Sequence, residues 1–273
     1  MKKIALFIVL IFVAIACDVV DKPYLQNESK IGDFKKKVVL IDFTAVHCVY
    51  CPNANKKASD LAKQYGEDNV ILIGAHASKL AIPDEGQPDL RSQTSTELFD
   101  KFATPTTGLP VGMVNQKESK GVRIFNFGSW DNLIIEESYK EPDLNMDMKL
   151  TYNETDSTVG ITVDCNYLND GSKDDNICVY VTEDSIVAAQ KNNSEVIEDY
   201  VHNHVLRGAI TPTFGDPVKA GNIKAGESIQ KKYNYTIPKG FRHNKLRFIA
   251  IVQNKNTNLI KQSTAKYLYE KSE

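Results

Sequence analysis

An α/β domain followed by an all-β sandwich is the fold class the chain predicts, and three patterns point to it. A short apolar run, Val38-Val39-Leu40-Ile41-Asp42-Phe43, is followed by residues at helical spacing and then by a second apolar run, Asn69-Val70-Ile71-Leu72-Ile73-Gly74-Ala75. Beyond residue 142 the period changes to two: Leu144, Met146, Met148, Leu150 and Tyr152 alternate with polar residues, as half-buried strands do. The chain of 273 residues, 42% hydrophobic and 25% charged, is long enough for two domains and excludes collagen-like or disordered classes. A formal charge of -2 leaves no basic surplus to neutralise phosphates, so no nucleic-acid partner is expected.

The N-terminus reads as a targeting segment. Lys2 and Lys3 precede an unbroken apolar run from Ile4 to Ile15, too short for the ~20 residues that span a bilayer and suited to a signal-peptide core. Val13-Ala14-Ile15-Ala16 then leads directly into Cys17, an arrangement that resembles the lipobox of bacterial lipoproteins. Residues 1–16 are thus expected to be a leader, Cys17 an acylated N-terminus and 17–35 a linker. The lipid on Cys17 would make the membrane a partner, because two or more acyl chains hold stably where one does not. Plain secretion, with cleavage near Ala16, is the alternative.

Residues 36–142 form the expected α/β domain. The first apolar run reads as a strand buried on both faces. Ala54, Ala58, Leu61, Ala62 and Tyr65 then recur at helical spacing until Gly66 closes the helix. With the second run the three elements make a βαβ unit, whose strands are parallel and joined by a right-handed crossover. The long stretch 79–107 contains a predicted helix around Leu90 to Phe102 and is placed to cover a site and select partners.

Five cysteines divide by setting: Cys17 for lipid, and two pairs, an even count that fits an oxidising compartment. Cys48 and Cys51 form a C-x-x-C where the first strand turns into the helix. A thiol at a helix N-terminus faces unpaired N–H groups and the positive dipole end, which lower its pKa. Cys48 is then the expected nucleophile, and Cys51, one turn on, resolves the mixed disulfide. Asp42, inside the apolar strand, is expected to have a raised pKa by desolvation and to relay a proton to Cys51. His47 adjoins the nucleophile and would stabilise its thiolate when charged. The alternatives are a purely structural disulfide, and for Asp42 a buried acid paired with Lys57 or another base. Zinc lacks ligands, since no second C-x-x-C or His-x3-His is present; no metal and no cofactor are expected. His76, ending the second parallel strand, lies on the side where sites form, or is a hydrogen-bonded structural residue.

These residues resemble a known family. Asp42-Phe43-x4-Cys48-x-x-Cys51 looks like the thioredoxin active-site strand, and Gly108-Leu109-Pro110-Val111 fits the cis-proline of that family, which packs against the dithiol. The resemblance covers about Lys36 to Tyr139, with 121–127 as an antiparallel partner strand and Trp130 to Ser138 as a closing helix. His47, Val49 and Tyr50 depart from the Trp and Gly-Pro of thioredoxin. A wider resemblance, over nearly the whole chain, is to the Omp twenty-eight-related outer-membrane lipoproteins. It rests on the lipobox, Phe43-Thr44 before Cys48-x-x-Cys51-Pro52, His76, Pro110 followed by Asn115, and Tyr200-x-His202-Asn203-His204-Val205-Leu206-Arg207. That likeness implies a thioredoxin-like domain, then a β-rich domain, in the outer membrane and facing either periplasm or surface.

In residues 143–273, Val159, Ile161, Val163, Cys165 and Tyr167 repeat the period of two. The Asn169-Asp170-Gly171-Ser172 turn is expected to return the chain as a partner strand, Ile177 to Val181. Further strands are predicted at 229–237, 246–253 and 259–265, fitting an antiparallel, immunoglobulin-like sandwich. Cys165 and Cys178 would then either form a disulfide across the hairpin or be two small buried hydrophobes, since Cys178 is out of phase with Ile177 and Val179. His202-Asn203-His204 reads as a packing or interdomain element.

Together these features predict a lipid-anchored thiol–disulfide oxidoreductase whose partners are exported protein thiols or disulfides and a redox protein that recycles it. In that reading Cys48 attacks, Cys51 resolves, Asp42 relays the proton and Pro110 shapes the peptide groove. The rival is an outer-membrane or surface binding lipoprotein in which the dithiol is an inert disulfide on a scaffold.

Overall fold

The computed structural model describes residues 35–104 and 106–269, so the expected leader and Cys17 lie outside the described residues. The βαβ unit is present: β1 (Val38–Thr44), α1 (Cys51–Tyr65) and β2 (Val70–His76), with β1 and β2 parallel and Leu40 opposite Leu72, Asp42 opposite Gly74 and Thr44 opposite His76. Pro52 stands in the first turn of α1, where its missing N–H is harmless, and Gly66 ends the helix at φ 91°. Val38 and Leu40, with Val70 and Leu72, pack against Ala54, Ala58, Leu61, Ala62 and Tyr65 of α1. Strand alternation sends Val39, Ile41 and Phe43 to the opposite face.

A 3₁₀ turn (Lys79–Ala81) follows β2, and α2 (Gln93–Phe102) starts at a capping box in which Ser92 and Ser95 bond each other's backbone. β3 (Val111–Val114) pairs antiparallel with β1, and α3 (Trp130–Ser138) lies on the α1 side. The strand expected at 121–127 does not form; Phe125 only bridges to Gly112. Gly112 is required there, because a Cβ would stand 2.7 Å from the Ile41 carbonyl oxygen and 2.8 Å from the Trp130 ring. Gly112→Ala should therefore destabilise by about 3 kcal/mol, since neither backbone nor indole can retreat; a urea midpoint equal to that of the parent would refute this.

The second half comprises β4 (Leu144–Asn153), β5 (Thr158–Tyr167), β6 (Asp175–Glu183), β7 (Ile186–Asn192), β8 (Glu195–His202), β9 (Val205–Ala209), β10 (Asp216–Pro217), β11 (Ser228–Thr236), β12 (Leu246–Asn254) and β13 (Ile260–Tyr267). Its strands do not form a separate sandwich domain, because one of their sheets continues into the first half. One sheet runs β13-β12-β6-β9-β2-β1-β3, joining strands of both halves through the parallel pairing of β2 with β9. The sheet curls until its ends approach: the Ile260 amide at the start of β13 donates to the carbonyl of Asn115, just beyond β3, at 3.0 Å. Val39, Ile41, Ile71, Ile73 and Met113 consequently share a core with Cys178, Tyr180, Leu206, Ile249 and Ile251.

The expected architecture, an α/β thioredoxin-like domain followed by an immunoglobulin-like sandwich, is thereby corrected. The described chain is β-rich, with thirteen strands and three α-helices, and its principal sheet is common to both halves. The cause is the edge of β2, which carries open backbone groups and takes up β9; an unpaired edge left bare would invite association. A three-stranded sheet, β11-β5-β4, packs on β6 and β12, and β7-β8 form a separate hairpin.

This arrangement also removes the hairpin expected between β5 and β6, because β5 pairs with β4 and β11 while β6 pairs with β12 and β9. Cys165 faces the core between the two sheets, and Cys178 faces the core on the other side of β6. Both are free thiols, and burial pushes each pKa up to about 12.

Candidate functional site

The residues expected to act together separate into two places. At the first, Cys48 and Cys51 are joined as a disulfide. Cys48 is 3% exposed and Cys51 is fully buried, in a cluster with Ala45, Ala81 and Leu109. The Leu109–Pro110 bond is cis, and β3 begins directly after it. The 3₁₀ turn lies over the motif, with the His47 amide donating to the Leu80 carbonyl at 3.0 Å.

A second cover comes from β7. Gln190, fully buried, donates from its amide nitrogen to the carbonyl oxygens of Ala45 at 3.2 Å, Cys48 at 3.1 Å and Lys191 at 2.9 Å. The Lys191 and Asn193 amides add bonds to the carbonyls of Val46 and Val49, so the hairpin is laced along the Cys48 loop. His47 Nε2 lies 3.5 Å from Asp84. Nothing in the sequence marked Gln190, since a glutamine in an alternating polar stretch reads as a solvated strand residue.

Asp42 belongs to the second place. It makes no hydrogen bond to either sulfur, and Lys57, the base suggested for it, instead faces Asp131 at 3.7 Å. Asp42 is 5% exposed with Oδ1 unpartnered, and burial pushes its pKa up to about 8. It lines a cavity of about 320 Å³ together with Thr44, His76, Tyr200, His202 and Asn55.

Register explains the cavity. Leu40 and Leu72 support α1, and the next residues on the same face, Asp42 with Gly74 and Thr44 with His76, continue beyond the apolar contact. Asp42 has a glycine beside it in each neighbouring strand, Gly74 in β2 and Gly112 in β3. On the Gly74 side the missing side chain leaves room, and it also lets the 203–204 backbone approach, with the Gly74 amide bonded to the His204 carbonyl at 2.8 Å. The end of β8 forms one wall of the cavity: His202 meets His76 edge to face at 5.3 Å between ring centroids and Tyr200 at 4.7 Å.

His76 and His202 each direct at most one ring nitrogen to the backbone, at Gly74 and Ala188, and neither contact has the geometry of a normal hydrogen bond. Burial, reinforced for His76 by His202, lowers the pKa of His76 to about 3; burial lowers that of His202 to about 4. Both rings are therefore neutral at pH 7. Among the described residues no group of three or more His, Cys, Asp or Glu side chains is arranged to hold a metal ion.

Fold and site together define a β-rich protein with a buried disulfide and a separate polar cavity. A family model described as outer membrane protein Omp28 matches residues 100–270, and the chain belongs to that family. Membership carries an outer-membrane location. Among solved structures it is similar to HBP35 of Porphyromonas gingivalis, with a TM-score of 0.68 at 21% identity, covering 88% of this chain and 77% of that one. It is also similar to a protein of Agrobacterium tumefaciens, with a TM-score of 0.52 at 13% identity over 87% of this chain and 97% of that one. At these identities the likeness is one of fold. No curated protein matches the sequence.

Proposed function

We infer that this is a lipid-anchored binding protein of the outer membrane, held through Cys17, in which the Cys48–Cys51 bond is structural and the residues around it are a scaffold. The observation that carries the reading is the cover on the disulfide. Thiol exchange needs a sulfur open to in-line attack, whereas the residues Cys48 and Cys51 are 3% and 0% exposed, with the 3₁₀ turn and Gln190 bonded to the backbone beside them. Asp42, the expected proton relay, lines a cavity that neither cysteine lines.

The test is equilibration of the mature chain, from Cys17 in detergent, against glutathione and dithiothreitol buffers, with thiols counted by alkylation after denaturation. Only Cys165 and Cys178 should react until the potential falls below about −300 mV, as for structural bridges. A reversible couple between about −270 and −120 mV would overturn the assignment and restore an oxidoreductase.

A further inference from the structure

We propose that the cavity between β2, α1 and the end of β8 binds a small uncharged polyhydroxylated molecule of monosaccharide size. The proposal rests on the binding role inferred above and names the class of ligand. The cavity, at about 320 Å³, lies at the lower end of the range for ligand pockets and above that for one or two waters.

Four side chains on its wall are nearly fully buried: Asp42 Oδ1 and Thr44 Oγ1 have no partner, and His76 and His202 each direct at most one ring nitrogen to the backbone, at Gly74 and Ala188, which leaves the other nitrogen free. Such groups are rare in a folded interior, because a buried polar atom that nothing bonds has given up its water without replacement. Four around one cavity point to an occupant that supplies the bonds.

The chemistry of the four selects that occupant. At neutral pH the Asp42 carboxyl keeps its proton and both imidazoles are neutral. Each group, like the Thr44 hydroxyl, therefore carries both a donor and an acceptor. The complementary ligand group is a hydroxyl, which also does both. The same desolvation that neutralises these side chains penalises a charged ligand. Tyr200 offers an aromatic wall for the C–H face of a sugar ring, while Lys56, Asp60 and Lys63 also line the cavity without a common sign of charge.

The test is isothermal titration of the mature chain with D-glucose, D-galactose, D-mannose and myo-inositol, with D-glucuronate and D-glucosamine as charged counterparts. At least one neutral compound should bind saturably, both charged ones at least about tenfold more weakly. Thr44→Val, which keeps the side-chain shape, and His76→Phe should each weaken that binding by about tenfold, the equivalent of one lost hydrogen bond in a dry site. Thr44→Val keeps the test valid should His76→Phe fail to fold. Absence of saturable binding by all four, leaving a cavity that holds water only, would overturn the proposal. So would equal binding of the charged compounds, or binding unchanged by Thr44→Val. Failure here with a reduction-resistant disulfide would remove the ligand class alone; a reversible disulfide would remove the scaffold reading alone.

Discussion

Replacing Asp42 by asparagine should stabilise the protein at neutral pH, by as much as about 4 kcal/mol at pH 7. The ordinary carboxyl value is 3.8, and burial raises that of Asp42 to about 8. Between those values the folded chain keeps a proton that the unfolded chain releases. The contribution is thus fully present below pH 3.8 and is lost as pH rises through 8. At ~1.4 kcal/mol per unit, the span from the ordinary value to pH 7 gives the figure above as an upper estimate. Asparagine is neutral in both states, so the pH 7 deficit disappears while stability at pH 3 is unchanged. His76 and His202 act in the opposite direction. Their folded values, about 3 and about 4, lie below the ordinary 6.5, so their contribution is present above 6.5 and lost as pH falls. The parent should therefore have a domed profile of stability against pH, and Asp42→Asn a rise to a plateau. Urea midpoints from pH 3 to 9 measure both. If parent and variant run in parallel between pH 5 and 8, Asp42 is ionised in the folded state and the neutral character of the cavity is lost with it.

What the sequence made legible, and what it did not, follows from the range of the interactions concerned. The βαβ unit was readable because two apolar runs and one helical face are local patterns, whereas α3 was placed at Trp130–Ser138 by the thioredoxin resemblance. Strands β4, β5, β11, β12 and β13 were visible as alternation or as apolar runs of strand length. Pairing was not. Val205 to Ala209 is a five-residue strand containing Gly208, too short to register as a period, yet it is the element that joins the two halves. Ile177 to Val181 is a continuous apolar run, the sign of a strand buried on both faces, and that sign argued against a half-exposed hairpin partner for β5.

The site shows the same division. Cys48 and Cys51 share a buried cluster with Leu109, the residue before Pro110, whereas Gln190, which bonds the Cys48 carbonyl, lies in a hairpin with no local signal. Asp42 and Thr44, two residues apart on a strand, necessarily share a face. That their neighbours across the sheet are Gly74 and His76, and that His202 arrives from β8, depends on register and on contacts more than a hundred residues distant in sequence. Propensity and spacing carry no information about such meetings.

Asn115→Ala should destabilise by about 4 kcal/mol, because Asn115 fastens both ends of the curled sheet. Its Oδ1 accepts from the Val39 amide at 2.9 Å, its Nδ2 donates to Glu137 at 3.2 Å, and its own carbonyl accepts from Ile260 at 3.0 Å. Alanine deletes the two side-chain bonds, leaving a buried amide on β1 unpartnered and removing a donor from a carboxylate that is 1% exposed, at about 1–3 kcal/mol each. Lys36, itself buried and 3.4 Å from Glu137, keeps that carboxylate from being wholly uncompensated. The backbone at φ 47° adds roughly 1 kcal/mol against alanine, which asparagine and glycine tolerate better. Asn115→Gly should consequently recover about that last amount and no more, which separates backbone strain from the lost bonds. Because Asn115 links β1 and β13 directly, loosening it should weaken both halves at once. Trp130, the single tryptophan, reports the first half by fluorescence, and far-ultraviolet circular dichroism reports the strands of both. The two urea transitions should coincide in the parent and shift together in Asn115→Ala. Transitions that part, with fluorescence changing before the dichroism, would show that the shared sheet is not one cooperative unit and that the halves fold as separate bodies.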